Sequence, residues 1–136
     1  MEKLKNLLKS NNLKATHQRI AILECIDKFG HIDIDAIYDY ISQNYPTMSK
    51  ATIYRNINEL TSYNIIEEVK LPNKNKKFEI KKIPHIHLLC KKCSKVEDLF
   101  LETKPLFDKI ISNSGFKIEH SFIVIDGICK NCQKSA

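Results

Sequence analysis

Apolar residues recur at helical spacing in four segments of the first 62 residues, which predicts four amphipathic helices. In the last of them, Ile53, Ile57 and Leu60 share one face, and Lys50 and Tyr54 lie on the other. Polar residues that can cap a helix precede three of the segments. These capping residues are Thr16, Asp33 or Asp35, and Ser49.

A β-hairpin is predicted to follow the helices. Residues 65–71 and 77–80 read as two strands, and Pro72-Asn73-Lys74-Asn75 forms the turn between them. Lysines in and beside this turn make the hairpin basic. Helices followed by a basic hairpin are the pattern of a winged helix-turn-helix.

The second part of the chain is patterned mainly for strands. Short strands are predicted over 85–90 and 95–100, a helix over 103–114, and a long strand over 117–127. The apolar residues expected to face inward on the helix are Leu106, Phe107, Ile110 and Ile111.

The fold class is therefore α+β, with two domains. Residues 1–82 form the winged helix-turn-helix, and residues 83–136 form a small α/β domain. A domain of about 50 residues buries little apolar surface, so the second one is expected to need a metal or a partner chain.

Composition narrows the compartment and the class of partner. The 136 residues carry 22 Lys and Arg against 16 Asp and Glu, a net charge of +6 that favours an anionic partner. No apolar run is long enough to span a membrane, and the N-terminus does not resemble a secretory signal. The five cysteines are an odd number. We expect a cytoplasmic protein in a reducing compartment.

Four of the cysteines form the strongest local motif. Cys90-x2-Cys93 is followed after 35 residues by Cys129-x2-Cys132. Two such turns supply four thiolates to one tetrahedral site, which suits structural Zn²⁺. The alternative is two disulfides or unrelated thiols. Cys25 lies on the apolar face of the second helix and is expected to pack in the core.

A mixed set of imidazoles and carboxylates suggests a second metal site. His85 and His87 project from one face of a predicted strand, and Asp98 lies on the neighbouring strand. Glu79 is near the end of the hairpin, and His31 precedes the third helix. Such donors suit Fe²⁺, Mn²⁺ or Zn²⁺ in an exchangeable site. Spacing alone leaves open a polar strand face that binds no metal.

Several motifs together resemble the Fur family of metalloregulators. They occur in the family's order over nearly the whole chain, and they are Thr16-His17-Gln18-Arg19, Ser49-Lys50-Ala51-Thr52-Ile53-Tyr54-Arg55-Asn56, His85-Ile86-His87-Leu88-Leu89-Cys90 and Gly127-Ile128-Cys129 with Cys132. The resemblance implies a homodimeric transcriptional repressor rather than an enzyme. Residues 1–82 would bind DNA, and residues 83–136 would form the dimer and bind metal.

The resemblance also implies two metal sites. The structural zinc ligands would be Cys90, Cys93, Cys129 and Cys132. The ligands of a regulatory Fe²⁺ or Mn²⁺ would be His31, Glu79, His85, His87 and Asp98.

Two of these ligands point to different branches of the family. Asp98 resembles the peroxide sensors (PerR), and Glu79 resembles the iron-responsive Fur proteins. We weigh Asp98 more. The resemblance then implies a repressor of peroxide-stress genes in which bound iron catalyses oxidation of His31 and His85. The alternative is a Fur-like iron-responsive repressor of iron-uptake genes.

The DNA partner implied by the resemblance is an AT-rich palindromic operator. Tyr54 would touch thymine methyl groups, and Lys14 would enter the minor groove. The residues predicted to contact DNA are Lys14, Arg19, Lys50, Tyr54, Arg55, Lys74, Lys76 and Lys77. The lysines of the hairpin could instead be a merely solvated surface. Two other functions compete with DNA binding: a zinc-stabilised protein-interaction module, and an enzyme built on the His/carboxylate set.

Overall fold

The computed structural model describes residues 2–134. The chain forms two compact units that meet in sequence between Lys82 and Ile83, and each is described by itself. Winged-helix and α/β elements follow one another as the sequence predicts, and the fold class is α+β. None of the helices in the described part of the chain is long and apolar enough to cross a membrane.

Four helices build the N-terminal unit, and their starts are set by local capping. The helices are α1 (Glu2–Ser10), α2 (His17–Phe29), α3 (Ile34–Asn44) and α4 (Lys50–Ser62). The side chains of Thr16, Asp33 and Ser49 each accept a hydrogen bond from the backbone N–H three residues later. The predicted caps are confirmed, and Asp33 rather than Asp35 starts α3.

The helices of this unit pack beside a small antiparallel sheet. Its strands are β1 (Ile32–Asp33), β2 (Ile66–Val69) and β3 (Lys77–Ile80), in the order β1-β3-β2. Strands β2 and β3 confirm the predicted hairpin, whereas β1 was not predicted. The core includes Leu8, Ile22 and Ile57. Burial of each such side chain stabilises the fold by about 1.5–3 kcal/mol.

The C-terminal unit is a three-stranded sheet with two helices. Its elements are β4 (Ile86–Cys90), β5 (Val96–Leu99), α5 (Lys104–Ser114), β6 (Ile123–Gly127) and α6 (Lys130–Lys134). The central strand β4 pairs antiparallel with β5 and parallel with β6. The sheet order is therefore β5-β4-β6.

Two predictions for this unit are wrong. The strand expected over 117–127 is confined to Ile123–Gly127, because its pairing with β4 begins only at Ile86 opposite Ile123. The apolar face of α5 does not turn inward in the single chain, where Leu106, Ile110 and Ile111 are 49%, 40% and 43% exposed. Helical periodicity identifies an apolar face but not what covers it. The short helix α6 was not predicted.

Candidate metal centres and nucleic-acid interface

The four paired cysteines come together because of the parallel pairing of β4 and β6. Cys90 is the last residue of β4 and lies opposite Gly127, the last residue of β6. Both C-x2-C turns therefore begin at the same ends of these parallel strands. The ligand sulfurs of Cys90, Cys93, Cys129 and Cys132 all lie within 4.8 Å of one another. This arrangement of four thiols in a closed cluster suits tetrahedral zinc.

Backbone amides prepare this cluster for negative charge. The N–H groups of Cys93 and Cys129 donate to Cys90 Sγ at 3.4 Å and 3.3 Å, and they lower the pKa of Cys90 to about 6. The pKa of Cys132 is raised to about 12, mainly by a hydrogen bond with Cys129 and secondly by burial. One thiolate therefore forms readily, and the remaining thiols lose their protons when a cation balances the added charge.

Cys25 stays apart from this chemistry. It is buried in α2, and burial raises the pKa of its thiol to about 11. The predicted core role is confirmed, because such a thiol is a poor nucleophile and packs as a small apolar side chain.

The N-terminal unit contributes one imidazole–carboxylate pair. Ile32 pairs with Phe78 across β1 and β3, and the antiparallel register therefore places His31 beside Glu79. His31 Nε2 lies 2.7 Å from Glu79 Oε2, and Glu79 is buried. An imidazole and a carboxylate at this distance offer two donors to one cation.

The C-terminal unit contributes a second donor cluster. His85 Nε2 lies 3.0 Å from His87 Nε2, and Asp98 Oδ1 lies 3.4 Å and 3.7 Å from these two nitrogens. His85 Nδ1 is 2.8 Å from the Ile83 carbonyl oxygen, which only accepts hydrogen bonds. A proton on Nδ1 would satisfy this carbonyl and would leave the Nε2 lone pair available to a cation.

Two aromatic rings flank this cluster. The ring centroid of Phe100 lies 5.2 Å from that of His85, and the ring centroid of Phe122 lies 5.2 Å from that of His87. Each imidazole therefore packs against one phenylalanine ring. The sequence had predicted that His85 lies within the strand, but it precedes β4 by one residue. Its ring nevertheless lies on the same side as His87, with the two ring centroids 4.4 Å apart.

Helix α4 presents the residues predicted to read DNA. Lys50, Tyr54 and Arg55 are exposed, with Tyr54 at 40%, while the opposite face is buried. On the hairpin, Lys74 and Lys76 are exposed and Lys77 is half-buried. Lys50 Nζ also lies 5.2 Å from the centroid of the Tyr38 ring.

Three of the predicted cations have anionic partners within the protein, and the first is Lys50, whose Nζ lies 3.8 Å from Asp35 Oδ1. Lys76 Nζ lies 3.0 Å from Glu68 Oε1, so part of its charge is already balanced. Arg19 is only 14% exposed in its side chain, and its Nη2 lies 3.0 Å from Glu59 Oε2. Its Nη1 donates to the Lys14 carbonyl oxygen at 2.8 Å. Both ends of the Arg19 guanidinium are therefore engaged internally, and the contact of Arg19 with DNA stays a prediction.

Sequence reasoning did not single out Glu59. The residue lies 40 positions after Arg19 and on a different helix, so no local spacing signals the pair. Asn56 is a similar case: it is 5% exposed, and its Nδ2 donates to Gln18 Oε1 on α2 at 3.4 Å.

These features define a class of protein. A winged helix-turn-helix with an exposed basic helix is followed by a small unit that carries a thiol cluster and an imidazole–carboxylate cluster. Residues 10–126 match the profile of the Ferric uptake regulator family. The chain belongs to this family, which confirms the resemblance inferred from its motifs.

Individual relatives agree with this assignment. The Peroxide operon regulator of Bacillus subtilis (strain 168) is 29% identical over 129 residues, which cover 93% of this chain and 89% of the relative. The crystal structure of the Campylobacter jejuni peroxide stress regulator aligns with a TM-score of 0.73 and 32% identity, over 95% of this chain and 98% of that chain. The ferric uptake regulator of Francisella tularensis, determined with iron, aligns with a TM-score of 0.74 and 26% identity over 89% and 95%.

Proposed function

We propose that this protein is a metal-dependent DNA-binding repressor that responds to peroxide. The observation that carries the proposal is the cluster of His85, His87 and Asp98, whose donor atoms lie 3.0–3.7 Å apart in a chain that also has a winged helix. The relatives named as peroxide regulators in Bacillus subtilis and Campylobacter jejuni support the response to peroxide.

DNA binding is assigned to the N-terminal unit. Helix α4 would enter the major groove, where Tyr54 touches thymine methyl groups and Arg55 contacts the backbone or a base. Lys14 would enter the minor groove. Lysines of the hairpin would neutralise phosphates without reading sequence, and these are Lys74, Lys76 and Lys77.

A homodimer would present two such units to a palindromic, AT-rich operator. The C-terminal unit offers the dimer surface, because the exposed Leu106, Ile110 and Ile111 form an apolar face on α5. Burial of this face in a second copy would supply the apolar core that 54 residues lack by themselves.

Two metal sites are assigned from their donors. Cys90, Cys93, Cys129 and Cys132 fit structural Zn²⁺, since four sulfurs cluster in a closed site. The proposed ligands of a regulatory Fe²⁺ or Mn²⁺ are those that the family resemblance implies, His31, Glu79, His85, His87 and Asp98. Binding of this ion would favour the DNA-binding form of the protein.

Peroxide sensing is assigned to two of the imidazoles. When bound, Fe²⁺ would supply the activation of peroxide. The O–O bond of H₂O₂ breaks, a ring C–H becomes C–OH, and the displaced hydrogen leaves with the second oxygen as water. His31 and His85 are the proposed targets. An oxidised ring is a weaker ligand, so metal binding would weaken and DNA would be released.

Iron sensing is the second candidate. Glu79 favours it, because its longer carboxylate side chain is the one that resembles the iron-responsive branch, and it lies 2.7 Å from His31. A Fur-like repressor would release DNA when iron is depleted and would ignore low peroxide.

One experiment separates these candidates. The protein is loaded with Fe²⁺ or Mn²⁺, exposed to limited peroxide, and assayed for DNA binding by gel shift and for added oxygen by mass spectrometry of peptides. We expect release only with Fe²⁺, with one oxygen each on the His31 and His85 peptides. Release with oxidised cysteines and unmodified histidines would refute the mechanism. Release only on iron depletion would favour the iron-responsive alternative.

A further inference from the structure

Arg19 connects three parts of the N-terminal unit. From α2, its Nη2 reaches Glu59 Oε2 on α4 at 3.0 Å, and its Nη1 donates to the Lys14 carbonyl oxygen at 2.8 Å. We call this set of contacts the Arg19 bridge. A guanidinium is a planar, rigid fork, so engaging both ends fixes α4 and the α1–α2 connection relative to each other.

The backbone at Lys14 is held in place on both sides. Its carbonyl oxygen also accepts a hydrogen bond from the Thr16 N–H at 3.0 Å, and Thr16 in turn caps α2. The preceding residue, Leu13, is buried in the core. The side chain of Lys14 is exposed, so its ammonium group is accessible while its backbone is held by hydrogen bonds.

The bridge includes one acidic residue of the helix proposed to enter the major groove. Glu59 is on α4, one turn after Asn56, which makes a second polar contact with α2 through Gln18 at 3.4 Å. Tyr54 and Arg55 remain exposed on the same helix. The contacts with α2 therefore set the position of α4 without occupying its exposed residues.

We propose that Arg19 is a positioning residue for DNA recognition. Through Glu59 and the Lys14 carbonyl, it would hold the α4 helix and Lys14 at the separation needed to enter a major groove and the adjoining minor groove together. A pre-organised pair of elements avoids an ordering cost on binding. The inference rests on the proposed function, since it concerns how the same DNA surface is assembled.

The alternative role for Arg19 is a phosphate contact, and charge distinguishes the two. If only electrostatics mattered, neutralising Glu59 would strengthen DNA binding, because a negative charge near the phosphates would disappear. If Glu59 acts by holding Arg19, its neutralisation weakens binding instead. Whether neutralising Glu59 raises or lowers the affinity for DNA therefore distinguishes the two roles.

The test uses the full-length, Mn²⁺-loaded protein and a duplex operator selected by that protein from a random library. Affinity is measured by fluorescence anisotropy at several salt concentrations. We expect Glu59→Gln and Arg19→Lys each to weaken operator binding about tenfold, the cost of roughly one mismatched base pair. Their salt slopes should match the wild type, because a phosphate contact is not lost. The double variant should be no weaker than either single one.

Asp35→Asn is the matched control. It removes one acidic charge from an exposed ion pair, Asp35 with Lys50 at 3.8 Å, and should not weaken binding. A hydroxyl-radical footprint of Glu59→Gln should lose protection in the minor groove, which a general loss of stability would not produce. Thermal unfolding shows that each variant is folded.

Two results overturn the inference. One is operator binding by Glu59→Gln that is as tight as the wild type or tighter. The other is an Arg19→Ala salt slope that falls by about one unit while Glu59→Gln has no effect, since Arg19 would then contact a phosphate. Failure of the wild type to select any operator would refute the proposed function itself, and the inference with it.

Discussion

Replacing Cys93 with serine is expected to unfold the C-terminal unit and abolish the dimer. Cys93 lies in the turn after β4, and its Sγ is 3.9 Å from Cys129 Sγ. Serine keeps the size of the side chain but removes one of the four thiolates that zinc requires. The remaining three sulfurs would bind the ion weakly.

The size of the expected loss of stability follows from the small core of this unit. Among its described residues, the buried apolar side chains are Ile86, Leu89 and Cys90. Burial of the two aliphatic ones contributes about 3–6 kcal/mol in total. Structural zinc contributes on the order of 10 kcal/mol, so its loss exceeds what this core can offset.

The assay combines three measurements on the full chain. Metal analysis should show about one zinc ion less per chain than in the wild type. Circular dichroism should show partial loss of ordered structure with the N-terminal helices retained, because their core is independent of zinc. Light scattering should show a monomer or an aggregate.

Cys25→Ala is the matched control. It removes the buried thiol of α2, so it should leave zinc content and the dimer unchanged. If Cys93→Ser remains a zinc-loaded dimer with wild-type thermal stability, the four cysteines do not form a structural site, and the reasoning from the sulfur cluster is wrong.

Three further predictions concern DNA binding and sensing. Tyr54→Ala should bind operator and random duplex with nearly equal affinity, because an exposed base-reading side chain is lost; an unchanged DNase footprint would contradict this. Lys76→Ala should weaken binding to operator and random duplex equally and reduce the salt slope by at most about one unit, because Glu68 already balances part of the Lys76 charge. A change in sequence preference would argue against a phosphate contact. Asp98→Glu should keep Mn²⁺-dependent DNA binding and reduce peroxide oxidation of His31 and His85, as peptide mass spectrometry would show; oxidation at the wild-type rate would contradict this.

The N-terminal unit was predictable from its sequence because the signals are local. Thr16 and Ser49 cap helices whose apolar residues recur at regular spacing, and the structure places both caps as expected. Strand β1 has two residues, too few to show a period, and it exists through its pairing with β3. Its detection needed a contact between residues more than 40 positions apart.

The C-terminal unit was less predictable because part of its apolar pattern has no cover within the described residues. The apolar pattern of α5 identifies the correct face, but a face that is 40–49% exposed at Leu106, Ile110 and Ile111 has no cover in one described chain. The strand before Gly127 was overextended for a related reason. Residues 117–122 alternate in character, but pairing with β4 begins only after them, at Ile123.

The candidate sites show the same division between local and distant information. The cysteine pairs are visible from spacing, and His85 and His87 are two residues apart. The pairing of His31 with Glu79 depends on the β1–β3 register, and the Arg19 bridge depends on how two helices pack. Neither leaves a periodic trace in the sequence. A carbonyl hydrogen bond such as Arg19 to Lys14 is invisible to side-chain patterns altogether.

Strand β4 separates the two candidate metal clusters, because they lie on opposite faces of its sheet. His87 and Cys90 are three residues apart, and alternate residues of a strand face opposite sides of the sheet. One side gathers sulfur donors in a closed cluster, and the other gathers two imidazoles and a carboxylate. Thiolates retain zinc tightly, whereas nitrogen and oxygen donors suit Fe²⁺ or Mn²⁺. A chelator of moderate affinity should therefore empty the regulatory side first and end DNA binding while the zinc-stabilised fold persists.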